Sequence, residues 1–323
     1  MTRLFASIAA VALLPLAHAQ AQDDRFADVT ITSETAGPGV EVLYGAGGNI
    51  ALAHGMENST TEAFLVDDQF APLTPKIMAK IEELAGVQPR FLVNTHWHGD
   101  HTGGNENFGE AGTLIVAHDN VHRRMSAEQS RERADGTVST TPASPPEALP
   151  VVTFRDRQTI HAAGQTIRAQ HVQHAHTDGD ALVHFREANV LHMGDTFFDE
   201  TAGTFPFIDI GSGGSIQGLI DAIDMGLTMA NADTKIIPGH GKLTDRDGLA
   251  AYRNMLVDVR DRVTVLVDSG SDRDAVIAAK PAAAYAANRE GGFISEDVFV
   301  GFVFDGLTAK MAHSHVDGTT HAH

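Results

Sequence analysis

Cysteine is absent from the 323 residues, which excludes disulfides, a thiolate nucleophile and any zinc-thiolate site. Basic residues are scarce: 23 Lys and Arg stand against 42 Asp and Glu, a formal charge of -19. A surface of that sign repels nucleic acid, so a polyanion is excluded as the main partner and a small-molecule substrate is expected instead. Long apolar runs are missing too. Residues 4–16 (LFASIAAVALLPL) are apolar over 13 positions, short of the ~20 that a spanning helix needs. Arg3 precedes that run, and the small-residue sites Ala17-His18-Ala19 and Ala19-Gln20-Ala21 follow it. This is the layout of a cleavable secretory signal over 1–21, cut after Ala19 or Ala21. The mature protein is therefore expected in the periplasm or outside the cell, with no membrane span. After Arg3 the next charged residue is Asp23, so the acidic excess belongs to the mature part.

What the chain does have is a 42% hydrophobic composition, enough for a full core, and 18 histidines. Short β-branched stretches broken by Gly over 29–67, as at 40–44, 49–54 and 61–66, predict antiparallel strands. Pro75 opens a helix whose Ile77, Met78, Ile81 and Leu84 recur at helical spacing until Gly86. A buried strand over 91–93 then leads into a polar loop. A strand at 114–117 and a helix at 119–129 follow. The Ser, Thr, Ala and Pro of 130–150 predict an exposed connection, with a flap over a site as the alternative. Strands return at 151–154, 165–172, 181–185 and 189–192, then helices at 215–230, with Ser215 as N-cap, and 248–267. Two halves of strands followed by helix would pack as two sheets with helices outside. The last stretch, 311–323, holds His313, His315, His321 and His323 without apolar periodicity, and is expected to be a disordered tail behind one domain over 22–310.

The chemistry is concentrated in Asn94-Thr95-His96-Trp97-His98-Gly99-Asp100-His101-Thr102-Gly103-Gly104. Three imidazoles and a carboxylate within six positions are the donors that borderline cations prefer, and on an irregular loop neighbours can point apart. His96 and His98 can face one ion while Asp100 and His101 face a second. Isolated partners stand where strands meet Gly-containing loops: His176 before the strand at 181–185, Asp195 after that at 189–192, and His240 after Ile236-Ile237. Asp67, Asp68 and Asp180 are candidates for orienting the imidazoles. Trp97 could wall the site, and His174 reads as a neighbour of it. His54, His118 and His161 read as ordinary surface or core residues.

This order of residues resembles the metallo-β-lactamase superfamily, whose pattern is H-x-H-x-D-H, then a His, a bridging Asp or Cys, and a final His. The resemblance covers roughly 29–267. It implies an α+β fold, an αββα sandwich with the ions at one sheet edge. It further implies that His96, His98 and His176 hold one metal, that Asp100, His101 and His240 hold the other, and that Asp195 bridges them. The cofactors would be two divalent cations, zinc first, with iron or manganese compatible with the same donors. Such a pair would make water nucleophilic near neutral pH, with Asp100 orienting it and taking its proton. Many penicillin-destroying members carry Cys where this chain has Asp195, Lys where it has Phe198 and Arg where it has His101. The ligand set is thus closer to hydroxyacyl-thioester hydrolases and lactonases, whereas export and the His176-Thr177-Asp178 turn look more like the antibiotic-degrading branch. The expected activity is hydrolysis of an ester, thioester or lactam, β-lactams included. A di-iron redox protein and a metal-binding protein without turnover are the alternatives, and His98 in place of Glu favours hydrolysis over the former.

Overall fold

The computed structural model describes residues 24–55, 62–132, 138–289 and 291–316. The apolar segment read as a signal over 1–21 and the last residues of the His-rich stretch, 317–323, lie outside the described residues. The first half comprises β1 (Thr32–Gly37), β2 (Val40–Tyr44), β3 (Ile50–Ala53), β4 (Ala63–Val66), α1 (Thr74–Ala85), β5 (Pro89–Val93), α2 (Gly99–Thr102), α3 (Asn105–Glu110), β6 (Leu114–His118), α4 (Asp119–Met125), β7 (Gln129–Glu132), β8 (Val138–Thr141) and β9 (Val152–Phe154). The second comprises β10 (Arg157–Ala162), β11 (Gln165–His171), β12 (Ala181–Phe185), β13 (Val190–His192), α5 (Ile216–Met229), β14 (Lys235–Ile237), β15 (Thr244–Asp245), α6 (Arg246–Asp268), α7 (Arg273–Ala278) and α8 (Glu296–Val316).

Two sheets result, seven strands in the order β1-β2-β3-β4-β5-β6-β9 and six in the order β10-β11-β12-β13-β14-β15, with β7-β8 as a separate hairpin. Each sheet begins antiparallel and turns parallel, at β4-β5-β6-β9 in the first and β13-β14 in the second. The period of two along the strands dictates the layers. Val40 and Val42, Phe64 and Val66, Val93 and Val116 point inward, against Ala181, Val183, Phe185, Val190 and Ile237 of the other sheet. Phe64 and Phe185 meet edge-to-face across that interface, ring centroids 6.1 Å apart. The alternate residues Leu43, Leu52, Leu65, Leu92 and Ile115 face outward and are covered by Ile77 and Ile81 of α1. Leu182, Leu191 and Ile236 are covered in the same way by α5, α6 and α8. The αββα sandwich expected of the family is thus what the alternating pattern builds, each fully buried Leu or Phe contributing roughly 1.5–3 kcal/mol. Local signals set the helix ends: α1 has Pro near its start and stops at Gly86 (φ 68), and Ser215 accepts the Gly218 N–H to cap α5.

Three expectations are corrected. The connection over 130–150 carries most of the hairpin β7-β8, whose strands pair from Gln129 with Thr141 to Glu132 with Val138. The hairpin's described residues Gln129, Ser130, Ser139 and Thr141 line the large cleft beside the clustered histidines, so this segment is a cleft wall rather than a bare connection. Strand β10, with its polar, half-exposed residues, and helices α7 and α8 escaped the reading. Finally, α8 runs through Val316, past Met311, and the rest of the expected tail, 317–323, lies outside the described residues.

Candidate metal centre

The parallel strands deliver the polar groups. In open parallel sheets the crevice beyond the carboxyl ends of the strands collects ligands, and the loops after β4, β5, β13 and β14 carry Asp67, His96 and His98, Asp195, and His240 respectively. Asp100 and His101 lie on the short α2, entered from an extended His98 (ψ 148). His176 sits in the turn ahead of β12, and that turn is packed under the start of α5: a Cβ on Gly214 or Gly218 would overlap the backbone of His176 or His174. Gly239 is needed for a similar reason, because a Cβ there would overlap the Asp195 carboxylate.

All seven side chains singled out from the sequence converge. His96, His98, His176 and Asp195 offer donor atoms within 4.8 Å of one another, and so do Asp100, His101 and His240. The first three imidazoles are nearly equidistant, with centroids at 4.8, 4.7 and 4.7 Å, and nearly mutually perpendicular at 86°, 90° and 87°. Asp195 lies between the groups. Its Oδ2 is 3.9 Å from His96 Nε2 and 3.6 Å from His176 Nε2, while its Oδ1 is 3.0 Å from His101 Nε2 and 3.4 Å from His240 Nε2. Asp100 Oδ2 completes the second group, 3.3 Å from His240 Nε2 and 3.6 Å from His101 Nε2.

Four of the five imidazoles are held by the other nitrogen. His96 Nδ1 is 3.0 Å from Thr95 Oγ1, His98 Nε2 is 2.9 Å from Asp209 Oδ2, His176 Nδ1 is 2.8 Å from the Phe207 carbonyl, and His101 Nδ1 is 2.8 Å from Asp67 Oδ2. This is how metal-binding histidines are fixed in tautomer and direction, and it leaves His96 Nε2, His98 Nδ1, His176 Nε2 and His101 Nε2 facing inward. Buried polar atoms normally find hydrogen bonds, yet His96 Nε2 is buried without one, and His101 Nε2 and Asp195 Oδ1 face each other at 3.0 Å without hydrogen-bond geometry. Inward-aimed nitrogen and oxygen donors left unsatisfied fit a pair of divalent cations, and with no sulfur among them the donor set suits zinc, iron or manganese.

The two groups differ in charge. Burial and the neighbouring imidazoles, against the pull of Asp195, hold His96 well below its ordinary pKa; burial and His98 lower His176. In the second group burial opposes charge on His101, but Asp195, Asp100 and Asp67 outweigh it and raise its pKa well above the usual range. His240, also penalised by burial, is raised to about 9 by Asp195 and Asp100. Asp100 is brought down to about 2, burial being overcome by His101 and His240.

Of the three orienting aspartates expected, Asp67 alone meets a clustered imidazole. Asp68 instead accepts the Gly104 N–H, and Asp180 closes the turn after His176 by accepting from Thr177 N and Oγ1. Asp209, unmarked in the sequence, takes the role beside His98; it lies 111 residues downstream and reads locally as a turn residue. His174 stays outside, its Nδ1 bonded to the Gly213 carbonyl. Beside the cluster opens a cleft of about 750 Å³ lined by Trp97, His98, Met125, Phe207, Ile210 and Phe302, among others. Trp97 packs at 4.9 Å from His98 and under Arg124, so it does wall the site. Phe198, in place of a basic residue, is buried and stacked on His240 at 4.9 Å and 25°.

Similarity to known proteins follows the same residues. Residues 55–241 match the model of the Metallo-beta-lactamase superfamily, a span holding all seven clustered side chains. The acyl-coenzyme A thioesterase MBLAC2 of Homo sapiens is 25% identical over 169 residues, 49% of this chain and 58% of the relative. That of Gallus gallus is 26% identical over 167 residues, 48% and 58% respectively. The match spans less than two thirds of those relatives. Among solved structures, a metallo-beta-lactamase from Pontibacter korlensis superposes with a TM-score of 0.55 at 18% identity, covering 71% of this chain and 99% of that one. The DIM-1 metallo-beta-lactamase does so at 0.54 and 16%, covering 71% and 98%. At that identity the superpositions speak for the fold, and they agree with the two-sheet architecture. With its fold, its H-x-H-x-D-H segment and its downstream His, Asp and His all in place, this chain belongs to the metallo-beta-lactamase superfamily.

Proposed function

We propose that the chain is an exported hydrolase that uses two divalent cations to cleave an acyl carbonyl compound, an ester or thioester ahead of a lactam. The observation that carries this reading is Asp195, which turns one oxygen toward each ligand group. When bound, such a pair of cations supplies Lewis acidity, drawing electrons from a carbonyl oxygen and lowering the pKa of water from about 15.7 toward 7. His96, His98 and His176 would hold one cation, Asp100, His101 and His240 the other, with Asp195 shared. Asp100 is the clustered carboxylate with most access to solvent, 26% exposed against 5% for Asp195, so it is placed to accept the proton of an attacking water. Trp97, Phe207 and Phe302 would shelter the apolar part of the substrate in the adjoining cleft.

Two features support the acyl ester or thioester over the lactam: the ring of Phe198 where a carboxylate-gripping cation would be needed, and the thioesterase named among the relatives. Export rests on the run at 4–16 with its flanking small-residue sites; N-terminal sequencing of periplasmic material is expected to begin at Gln20 or Gln22. The deciding experiment is a screen of the mature, zinc-loaded protein against acyl-glutathione, aryl esters, homoserine lactones and a chromogenic cephalosporin, with and without chelator. Chelator-sensitive turnover of the thioester or ester class is expected. Turnover confined to the cephalosporin would reverse the substrate order, and two bound metals with no hydrolysis of any class would refute a hydrolase.

A further inference from the structure

The turn between β2 and β3 makes an unusual set of contacts with the second ligand group. Gly47 lies against Asp100, and Gly48 donates its N–H to the Asp100 carbonyl at 3.0 Å. A Cβ on Gly48 would overlap the His101 ring, so only glycine leaves room for that imidazole. Asn49, 5% exposed, goes further. Its N–H donates to the Gly239 carbonyl at 2.7 Å, and its Nδ2 donates to the carbonyls of Pro238 at 2.9 Å and Gly241 at 2.8 Å. These three carbonyls flank His240 on both sides. The carbonyl of His240 itself is taken by the Asp199 N–H at 3.0 Å. Gly239 and Gly241 give the 238–241 loop little intrinsic stiffness, Gly241 adopting φ +101, so its hydrogen bonds decide where His240 points.

Asn49 also reaches the bridging carboxylate. Its carbonyl accepts from His192 Nε2 at 3.0 Å, and His192 Nδ1 accepts the N–H of Gly194, the residue before Asp195, at 3.1 Å. His192 is wholly buried; it is a backbone strut rather than the ordinary core residue that its sequence position indicates. The first group is held by other means, the hydroxyl of Thr95, the carboxylate of Asp209 and the carbonyl of Phe207.

We infer that Asn49 is a positioning residue for the second cation site: by fixing through its side chain the 238–241 loop that carries His240, it sets the affinity of the Asp100, His101 and His240 group while leaving the His96, His98 and His176 group unaffected. This rests on the two-cation reading above. Asn49→Ala removes the Nδ2 donor and orphans the carbonyls of Pro238 and Gly241; Asn49→Asp keeps the shape but turns a carboxylate oxygen toward them.

The test is titration of the metal-free full chain with Zn²⁺ against a competing chelator, repeated with Co²⁺ to follow each equivalent by its visible absorption. The wild-type protein should bind two equivalents. In both variants the first should bind as in wild type and the second about 10- to 100-fold more weakly, the usual cost of losing a supporting hydrogen bond at a metal site. A purely structural role would weaken both equivalents alike or lower only the melting temperature. Either of those results, or an unchanged second equivalent, overturns the inference. Should Asn49→Ala not fold, Asn49→Ser is titrated under the same criteria. A wild-type chain that binds fewer than two equivalents overturns the two-cation reading itself, and shows it before any variant is compared.

Discussion

The two ligand groups solve the same problem by different chemistry. Around His96, His98 and His176 the donors are three imidazoles set almost perpendicular to one another, each fixed by a partner outside the cluster, with His96 and His176 depressed in pKa by burial and their neighbours. Around Asp100, His101 and His240 the donors are part carboxylate, more open to solvent on two sides, and the histidines are raised in pKa by the surrounding carboxylates. A cation entering the first group meets nitrogens held in place from outside the cluster, those of His96 and His176 with little hold on a proton. One entering the second competes with protons, and it depends on a glycine-flanked loop for His240. Asp195, with one oxygen toward each group, is the residue that would join these unequal halves into one centre.

The comparison is broken most severely at the bridge. Asp195→Ala is expected to reduce the tightly bound metal from two equivalents to at most one by elemental analysis and to lower kcat by at least about 10²–10³-fold, as losing one preorganised electrostatic contact does. Retention of both equivalents and of turnover would refute the bridge. Next come the orienting carboxylates, which should separate the halves. Asp209→Ala frees His98 and is expected to weaken the first site about 10- to 100-fold, whereas Asp67→Ala frees His101 and is expected to weaken the second by a similar factor and, through Thr95, which donates to Asp67 and holds His96, the first by less. Chelator competition on both variants reads this directly, and equal effects on both sites would erase the distinction drawn between them.

Acidity sharpens it further. His240 has a pKa raised to about 9, so near neutral pH a cation must displace its proton to use it. Affinity at the second site should rise at least about tenfold per pH unit between 7 and 9, His101 being raised as well, while the first site, whose His96 and His176 are shifted downward, should change little in that range. The sign follows for the metal-free fold as well: a His whose pKa rises on folding stabilises below its ordinary value and loses that contribution as pH passes through about 9. Calorimetric titration at several pH values checks both statements. The smallest effect expected lies away from both groups. Ser215→Ala removes the cap of α5 and should cost about 1 kcal/mol in denaturant unfolding. Metal binding should remain intact unless the His176 turn is displaced.

How much of this was legible depended on locality. His96, His98, Asp100 and His101 stand within six positions, so their donor types alone announce a metal site, and His176, Asp195 and His240 gain meaning from following them in order at strand ends. The strands of both sheet interiors were legible because Val, Phe and Leu alternate at a period of two. What escaped is what only the fold brings close. Asp209 is a turn aspartate until His98 arrives beside it, Asn49 reads as the first residue of the strand at 49–54 until β14 lays its loop alongside, and His192 reads as an ordinary strand end. Strand β10 was hidden by its polar, half-exposed face, and the β7-β8 hairpin by a Ser- and Thr-rich composition that resembles a linker.

The most direct measurement of the central claim is anomalous scattering at the zinc edge from crystals of the zinc-loaded mature protein. Two peaks are expected, one among His96, His98 and His176 and one among Asp100, His101 and His240, with the Asp195 carboxylate reaching both. A single peak, or zinc held only by the histidines beyond Lys310, would contradict a two-cation centre.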